Sequence, residues 1–114
     1  GRHSIVFVVS DLAEKNKKTV KLLNDNIGSA DLYIHYLETA ELFGNIASDY
    51  IVKIYSSGQY SGRCYLVMEY IENGDLRKKI TTTTLSVNDA IQLGHDISQG
   101  IVDLAANNII HFDI

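Results

Sequence analysis

A handful of residues in this 114-residue sequence combine a type that could do chemistry with a telling position. They are Lys21 in a β-branched stretch, the carboxylates Glu38 and Glu41, Asp75 after Asn73-Gly74, the thiol Cys64, and His111-Phe112-Asp113 at the end. An ammonium can hold an anion and a carboxylate can accept a proton. Taken singly, none decides anything. A lysine in a strand is usually a solvated face residue, both glutamates read as solvent-facing, and an aspartate near a terminus is usually just polar. With one cysteine, Cys64, an intrachain disulfide and a multi-cysteine zinc cage are excluded, and a reducing cytosol is the natural compartment. The information lies in order and spacing, and so in the elements that position these side chains.

Length and composition bound those elements. The chain is one domain at most, with 46% hydrophobic and 21% charged residues, enough to bury a core. No run approaches the roughly 20 apolar residues of a membrane span. Ten basic against fourteen acidic residues and a pI near 5.4 argue against a broad nucleic-acid-binding face. The one basic cluster, Lys15-Asn16-Lys17-Lys18, reads as a solvated turn.

Ile5 to Val9 and Lys18 to Leu23 read as two strands joined by a polar loop, a hairpin. After a loop signal over Asn24 to Ser29, Asp31 can cap a helix with apolar residues at helical spacing from Leu32 to Phe43, stopped by Gly44. Ile51 to Tyr55 reads as a strand, Ser56-Ser57-Gly58 and Ser61-Gly62 as turn signals, and Arg63 to Ile71 as a buried strand. Asp75 opens a short helix, Leu76 to Ile80, followed by a connector containing the threonine run Thr81 to Thr84. The clearest helix has Ser86 as cap, Asp89 in its first turn, about 20 residues, and a stripe of Val87, Ile91, Gly94, Ile97 or Ser98, Ile101 and Leu104 or Ala105. Ile109-Ile110 begins an extended piece, and a chain stopping there reads as truncated.

The order strand, hairpin, strand with Lys, helix with Glu, strand pair, short linker, long helix, His-x-Asp resembles the protein kinase domain, from within its glycine-rich loop to the start of its catalytic loop. In that comparison Val6 is the valine after the loop, Ser4 stands where the third glycine is usual, and Gly1 is the second glycine. Ser4 is a weaker solution than glycine for backbone that closes over phosphates. Lys18-Thr19-Val20-Lys21 is similar to the family's Val-Ala-Ile-Lys. The resemblance therefore implies that Lys21 binds the α and β phosphates and is held by a helix glutamate, Glu38 in preference to Glu41. The most specific stretch, Ile51 to Tyr55 with Tyr65 to Leu76, resembles the fourth and fifth strands and the hinge. It implies Met68 as gatekeeper, the backbone of Glu69 and Ile71 at the adenine edge, and Asp75 at the ribose. Asn108 to Ile114 is similar to the catalytic-loop opening His-Arg-Asp-Leu, with Asp113 accepting or orienting the substrate hydroxyl proton. Phe112 departs from the usual arginine, which suggests a kinase not switched by activation-loop phosphorylation.

The resemblance implies an α+β fold with a five-stranded antiparallel sheet and its helix over residues 1–70, a hinge over 71–75, and the first helices of the helical lobe over 76–114. It implies ATP with Mg²⁺ as cofactors, the metal ligands lying past Ile114, and a protein substrate bearing Ser or Thr, less often Tyr, hydroxyls. The 114 residues alone are expected not to catalyse, because the metal-holding Asp and Asn of the family are absent. The uncovered lobe surface is expected to drive self-association. Two alternatives remain at this point: a non-catalytic kinase-like module, favoured by Ser4 and Phe112, and a kinase-fold enzyme acting on a small molecule.

Overall fold

The computed structural model describes residues 4–23 and 30–111; within the first helix the side chains of residues 30–33, 35, 36 and 39 are outside that description. Gly1, the expected loop signal over Asn24 to Ser29, Phe112 and Asp113 also lie outside the described residues.

Strands β1 (Ser4–Ser10) and β2 (Lys17–Leu23) pair antiparallel, from Ser4 opposite Leu23 to Ser10 opposite Lys17. Local chemistry forms the loop between them. Asp11 Oδ1 accepts the N–H groups of Ala13 (2.9 Å) and Glu14 (3.1 Å), an Asx turn, and the Asp11 N–H donates to the Asn16 carbonyl at 2.8 Å. Helix α1 (Ala30–Gly44) follows and begins one residue before Asp31, which therefore sits in the first turn instead of at the cap. It packs on strand β3 (Ile54–Tyr60), where Ala40 is buried. Gly44 ends the helix against that strand: a Cβ there would lie 3.1 Å from the Ile54 carbonyl oxygen.

The sequence places a strand over Ile51 to Tyr55 and a turn at Ser56-Ser57-Gly58, but β3 runs three residues later and through that turn signal. The reversal occurs at Ser61-Gly62, with φ of 49° and 77°, a two-residue loop in left-handed backbone whose twist matches that of the flanking strands. Gly58 is kept in the strand by its cross-strand neighbour, since a Cβ there would lie 2.7 Å from Tyr65 Oη. Strand β4 (Arg63–Glu69) returns beside β3 and then pairs with β2, giving the sheet order β1-β2-β4-β3. Among the described residues the sheet thus has four antiparallel strands, where five are expected. Cys64 and Leu66 of β4, paired on both sides, are the buried residues of the sheet.

The chain divides into two compact units, one made of the chain up to Asn45 with Val52–Tyr70, the other of Ile46–Ile51 with the chain from Ile71 onward. The second unit contains α2 (Leu76–Thr82) and α3 (Val87–Ala106). Asp75 caps α2, its Oδ1 accepting the Lys78 N–H at 2.8 Å, and the helix takes in Thr81 and Thr82, which the sequence assigns to the connector. Ser86 caps α3 in a capping box: its Oγ accepts the Asp89 N–H and the Asp89 carboxylate accepts the Ser86 N–H.

The covered face of α3 differs from the sequence stripe. Of the stripe, Leu104 is buried but Val87, Ile91, Ile97 and Ile101 are exposed, and Gly100, outside the stripe, is buried. The reason is the segment Ile46–Ile51. A Cβ on Gly100 would meet the Tyr50 carbonyl oxygen at 3.1 Å. Asp103 accepts hydrogen bonds from Ser48 Oγ and, at 2.9 Å, from Gln99 Nε2.

Candidate functional site

A pleated sheet sorts its side chains by register, since directly opposed residues share a face. Val6 is opposite Lys21, Lys21 is opposite Leu66, and Thr19 is opposite Met68. Four residues singled out by sequence, Val6, Thr19, Lys21 and Met68, therefore lie on one face. Val6 is 56% exposed, and Thr19, Lys21 and Met68 are half-buried. The result is an apolar floor, reachable from solvent, with one ammonium at its edge. Such a face can take a flat apolar ring with an anionic tail.

The remaining site candidates are distributed as follows. Ser4 opens β1 opposite Leu23 and is half-buried. Glu69 ends β4; its N–H donates to the Lys53 carbonyl at 2.9 Å and its Oε2 accepts the Lys53 N–H at 3.1 Å. Its side chain therefore holds the chain entering β3, a role not evident from a hinge position read for its backbone alone. In the other unit, the Ile71 carbonyl accepts a long bond, 3.4 Å, from the Gly74 N–H, and Gly74 adopts φ of 74°. Asp75 has one carboxylate oxygen engaged at the α2 cap. Glu38 and Glu41 are both exposed on α1, and among the described residues neither forms an ion pair with Lys21. Glu41 instead lines a groove of about 350 Å³ with Leu37, Ala40, Asn45 and Ile54. Gly1 and Asp113 lie outside the described residues.

Sequence reasoning missed the strongest electrostatic feature. Lys18 is not part of a solvated turn. Its side chain is 13% exposed, with Nζ 2.8 Å from Asp11 Oδ2, 2.9 Å from Glu14 Oε2 and 4.8 Å from the Tyr55 ring centre. The hydrogen bond from Lys18, with the two turn N–H groups, holds the Asp11 carboxyl down at about 2, and the Glu14 carboxyl is lowered by the same ammonium. The two carboxylates raise Lys18 to about 12. An available signal was the aspartate opening a six-residue hairpin loop with a second acid three residues on, both within reach of the first turn of the returning strand.

The thiol of Cys64 is 1% exposed, and burial raises its pKa, so it packs as a small apolar group. No grouping of three His, Cys, Asp or Glu able to hold a metal ion occurs among the described residues.

Comparison with known proteins bears on the family and the fold. The family model described as protein tyrosine and serine/threonine kinase matches residues 5–114. The chain is 30% identical over 71 residues to the probable serine/threonine-protein kinase pknA2 of Bifidobacterium longum, covering 61% of this chain and 9% of that protein. It is 26% identical over 111 residues to the serine/threonine-protein kinase PrkC of Bacillus subtilis, covering 96% of this chain and 17% of that one. The crystal structure of the Mycobacterium tuberculosis PknI kinase domain superposes with a TM-score of 0.85 at 13% identity, covering all of this chain and 48% of that one, a likeness of fold. The chain thus spans less than a fifth of the length of these two relatives. With the matched family model running through the sheet, the helices and the lysine-bearing strand, this chain belongs to the protein tyrosine and serine/threonine kinase family.

Proposed function

We propose that this chain is part of an ATP-dependent protein kinase that transfers the γ-phosphate of ATP to Ser or Thr hydroxyls of a protein substrate. The observation that carries the reading is the register that sets Val6 opposite Lys21 and Thr19 opposite Met68 on one accessible face. In this reading Val6, Thr19 and Met68 contact the adenine, with the backbone of Glu69 and Ile71 at its edge and Asp75 at the ribose. Gly1 and Ser4 lie in the loop over the phosphates. Lys21 orients the phosphates, Glu38 is its partner in the active arrangement, and Asp113 receives the proton of the acceptor hydroxyl. Mg²⁺ accompanies ATP and supplies charge compensation; its ligands are residues other than those described.

Ser/Thr specificity rests on the names of the matched relatives. A cytoplasmic setting is supported by the single reduced thiol, and no helix among the described residues is long and apolar enough to cross a membrane. Self-association is supported by the exposed apolar face of the sheet carrying Phe7, Val20, Leu22, Tyr60 and Tyr65, which outlines a groove of about 380 Å³.

The test is phosphoryl transfer from Mg·ATP to a generic Ser/Thr protein acceptor by the full-length protein. Transfer lost in Lys21→Ala and in Asp113→Asn is the expected result. A well-folded full-length protein that binds nucleotide yet transfers nothing would replace this reading with that of a non-catalytic kinase-like module.

A further inference from the structure

The stretch Thr81 to Ser86 carries five hydroxyl groups in six residues, and the structure divides them unevenly. Thr81 Oγ1 donates to the Arg77 carbonyl at 2.9 Å and to the Lys78 carbonyl at 3.0 Å. Thr82 Oγ1 donates to the Lys78 carbonyl at 2.8 Å. Ser86 Oγ is engaged with Asp89 in the capping box. Thr83 and Thr84 are exposed, and their hydroxyls make no hydrogen bond to the described residues. Thr83 is the C-cap of α2 and is extended, with φ of −142° and ψ of 135°.

On the helix just before them stand Arg77, Lys78 and Lys79, all exposed and without an ion pair among the described residues. Lys79 lies near enough to the start of α3 to contribute to lowering the Asp89 carboxyl, behind the Ser86 hydrogen bonds. Two exposed, uncommitted hydroxyls at the extended end of the helix, preceded by three exposed cations without an ion pair among the described residues, are the chemistry of a segment that accepts an anionic group.

We propose that Thr83 and Thr84 form a phosphoacceptor site for a Ser/Thr protein kinase, the enzyme containing this chain acting in trans being the first source. This goes beyond the transfer reaction proposed above, because here the chain is substrate. The threonine Oγ1 attacks the γ-phosphorus of a nucleoside triphosphate and forms a P–O bond. The bond to the β-phosphate oxygen breaks, the nucleoside diphosphate leaves, and the hydroxyl proton passes to a base or to water. The new dianion sits at the C-terminal end of α2, where the helix dipole opposes it and the α2 cations attract it. Lys79 is drawn toward the phosphate, and the last turn, closed by the Thr83 N–H to Lys79 carbonyl bond of 2.9 Å, loosens.

The experiment uses dephosphorylated full-length protein with Mg·ATP and a generic protein acceptor in the same tube, with sites mapped by tandem mass spectrometry. A Lys21→Ala copy distinguishable by mass is added as an acceptor that reports transfer in trans. We expect phosphate at Thr83 or Thr84 in at least about threefold excess over Thr81, Thr82 and Ser86, and an Arg77→Gln/Lys79→Gln variant to cut it by about that factor. Phosphorylation of the generic acceptor with none at Thr83 or Thr84 overturns the site and leaves the kinase reading standing. If neither is phosphorylated the kinase reading fails, and an added Ser/Thr kinase that favours basic segments then decides: incorporation at Thr83 or Thr84 supports the site, and none overturns it. Faster amide exchange at Thr83 in the modified protein is the expected structural sign.

Discussion

Of the three lysines on strand β2, Lys18 and Lys21 stand three residues apart, so they point to opposite faces of the sheet, and they have opposite fates. Lys18 stands opposite Glu69 and beside Tyr55, with Asp11 and Glu14 closing on its ammonium. Lys21 stands opposite Val6 and Leu66, half-buried, and no carboxylate among the described residues pairs with it. A saturated cation stabilises a turn and has nothing left to offer a ligand. An unsaturated one on an accessible face keeps its charge for an anion. The difference shows that odd spacing along a strand, and not residue type, separates a lysine with saturated partners from one without an ion pair among the described residues.

Activity separates the two lysines most directly. Lys21→Ala in the full-length protein should lower phosphoryl transfer by about 10²–10³-fold with the melting temperature unchanged, as expected for loss of one electrostatic contact to the reacting phosphates. Lys18→Met should leave transfer within about threefold, because a cation with saturated partners makes no contact in the transition state. Equal losses in both would erase the distinction.

A smaller effect tests the register that sets the two side chains on opposite faces. Gly62 closes the β3–β4 hairpin at φ of 77°, so Gly62→Ala should cost about 1 kcal/mol in chemical denaturation without altering transfer per folded molecule. A neutral result would mean that the turn, and with it the pairing of Tyr60 with Arg63, is differently built.

The clamp around Lys18 predicts an asymmetric pH response. The Asp11 carboxyl is depressed from 3.8 to about 2 in the folded chain, so its contribution to stability is complete above pH 3.8 and is lost as pH falls through 2. Lys18 is raised from 10.5 to about 12, so its contribution is complete below pH 10.5 and is lost as pH rises through 12. Amide exchange in the hairpin loop of the full-length protein should therefore be insensitive to clamp titration from pH 5 to 9, after correction for intrinsic exchange. Asp11→Asn should reduce the acid-side loosening to the part that Glu14 contributes. A loop whose protection changes steadily through neutrality would contradict the clamp.

The placement of several candidate site residues on strands and faces is legible in the amino-acid sequence, for a definite reason. The β-branched runs around Lys21 and Met68 specify strands, and strand alternation then dictates that Thr19 shares a face with Lys21. The capping box at Ser86 is equally local, three residues from end to end, and α3 runs Val87–Ala106 as its spacing indicates. Turn residues are less legible: Ser56-Ser57-Gly58 carries the composition of a turn but lies within β3, because Tyr65 across the sheet needs the space that Gly58 leaves. Likewise the apolar stripe of α3 is legible as a pattern, but which face is covered depends on Tyr50, fifty residues earlier than Gly100. Glu38 and Glu41 cannot be ranked from spacing, and both are exposed on α1.

The order of strands and helices, the caps, the separation of Lys18 from Lys21 and the resemblance that led to the kinase family are all written in the chain's local chemistry. They follow from contacts between near neighbours and from periods of 2 and 3.6 residues, which any stretch of chain carries within itself. Tertiary packing was needed to place β4 between β2 and β3, to settle Ser48 and Tyr50 on α3, and to enclose Lys18 among Asp11, Glu14 and Tyr55. Those arrangements depend on which distant surfaces meet, and a side chain's partners across a sheet or on a neighbouring helix are set by that meeting.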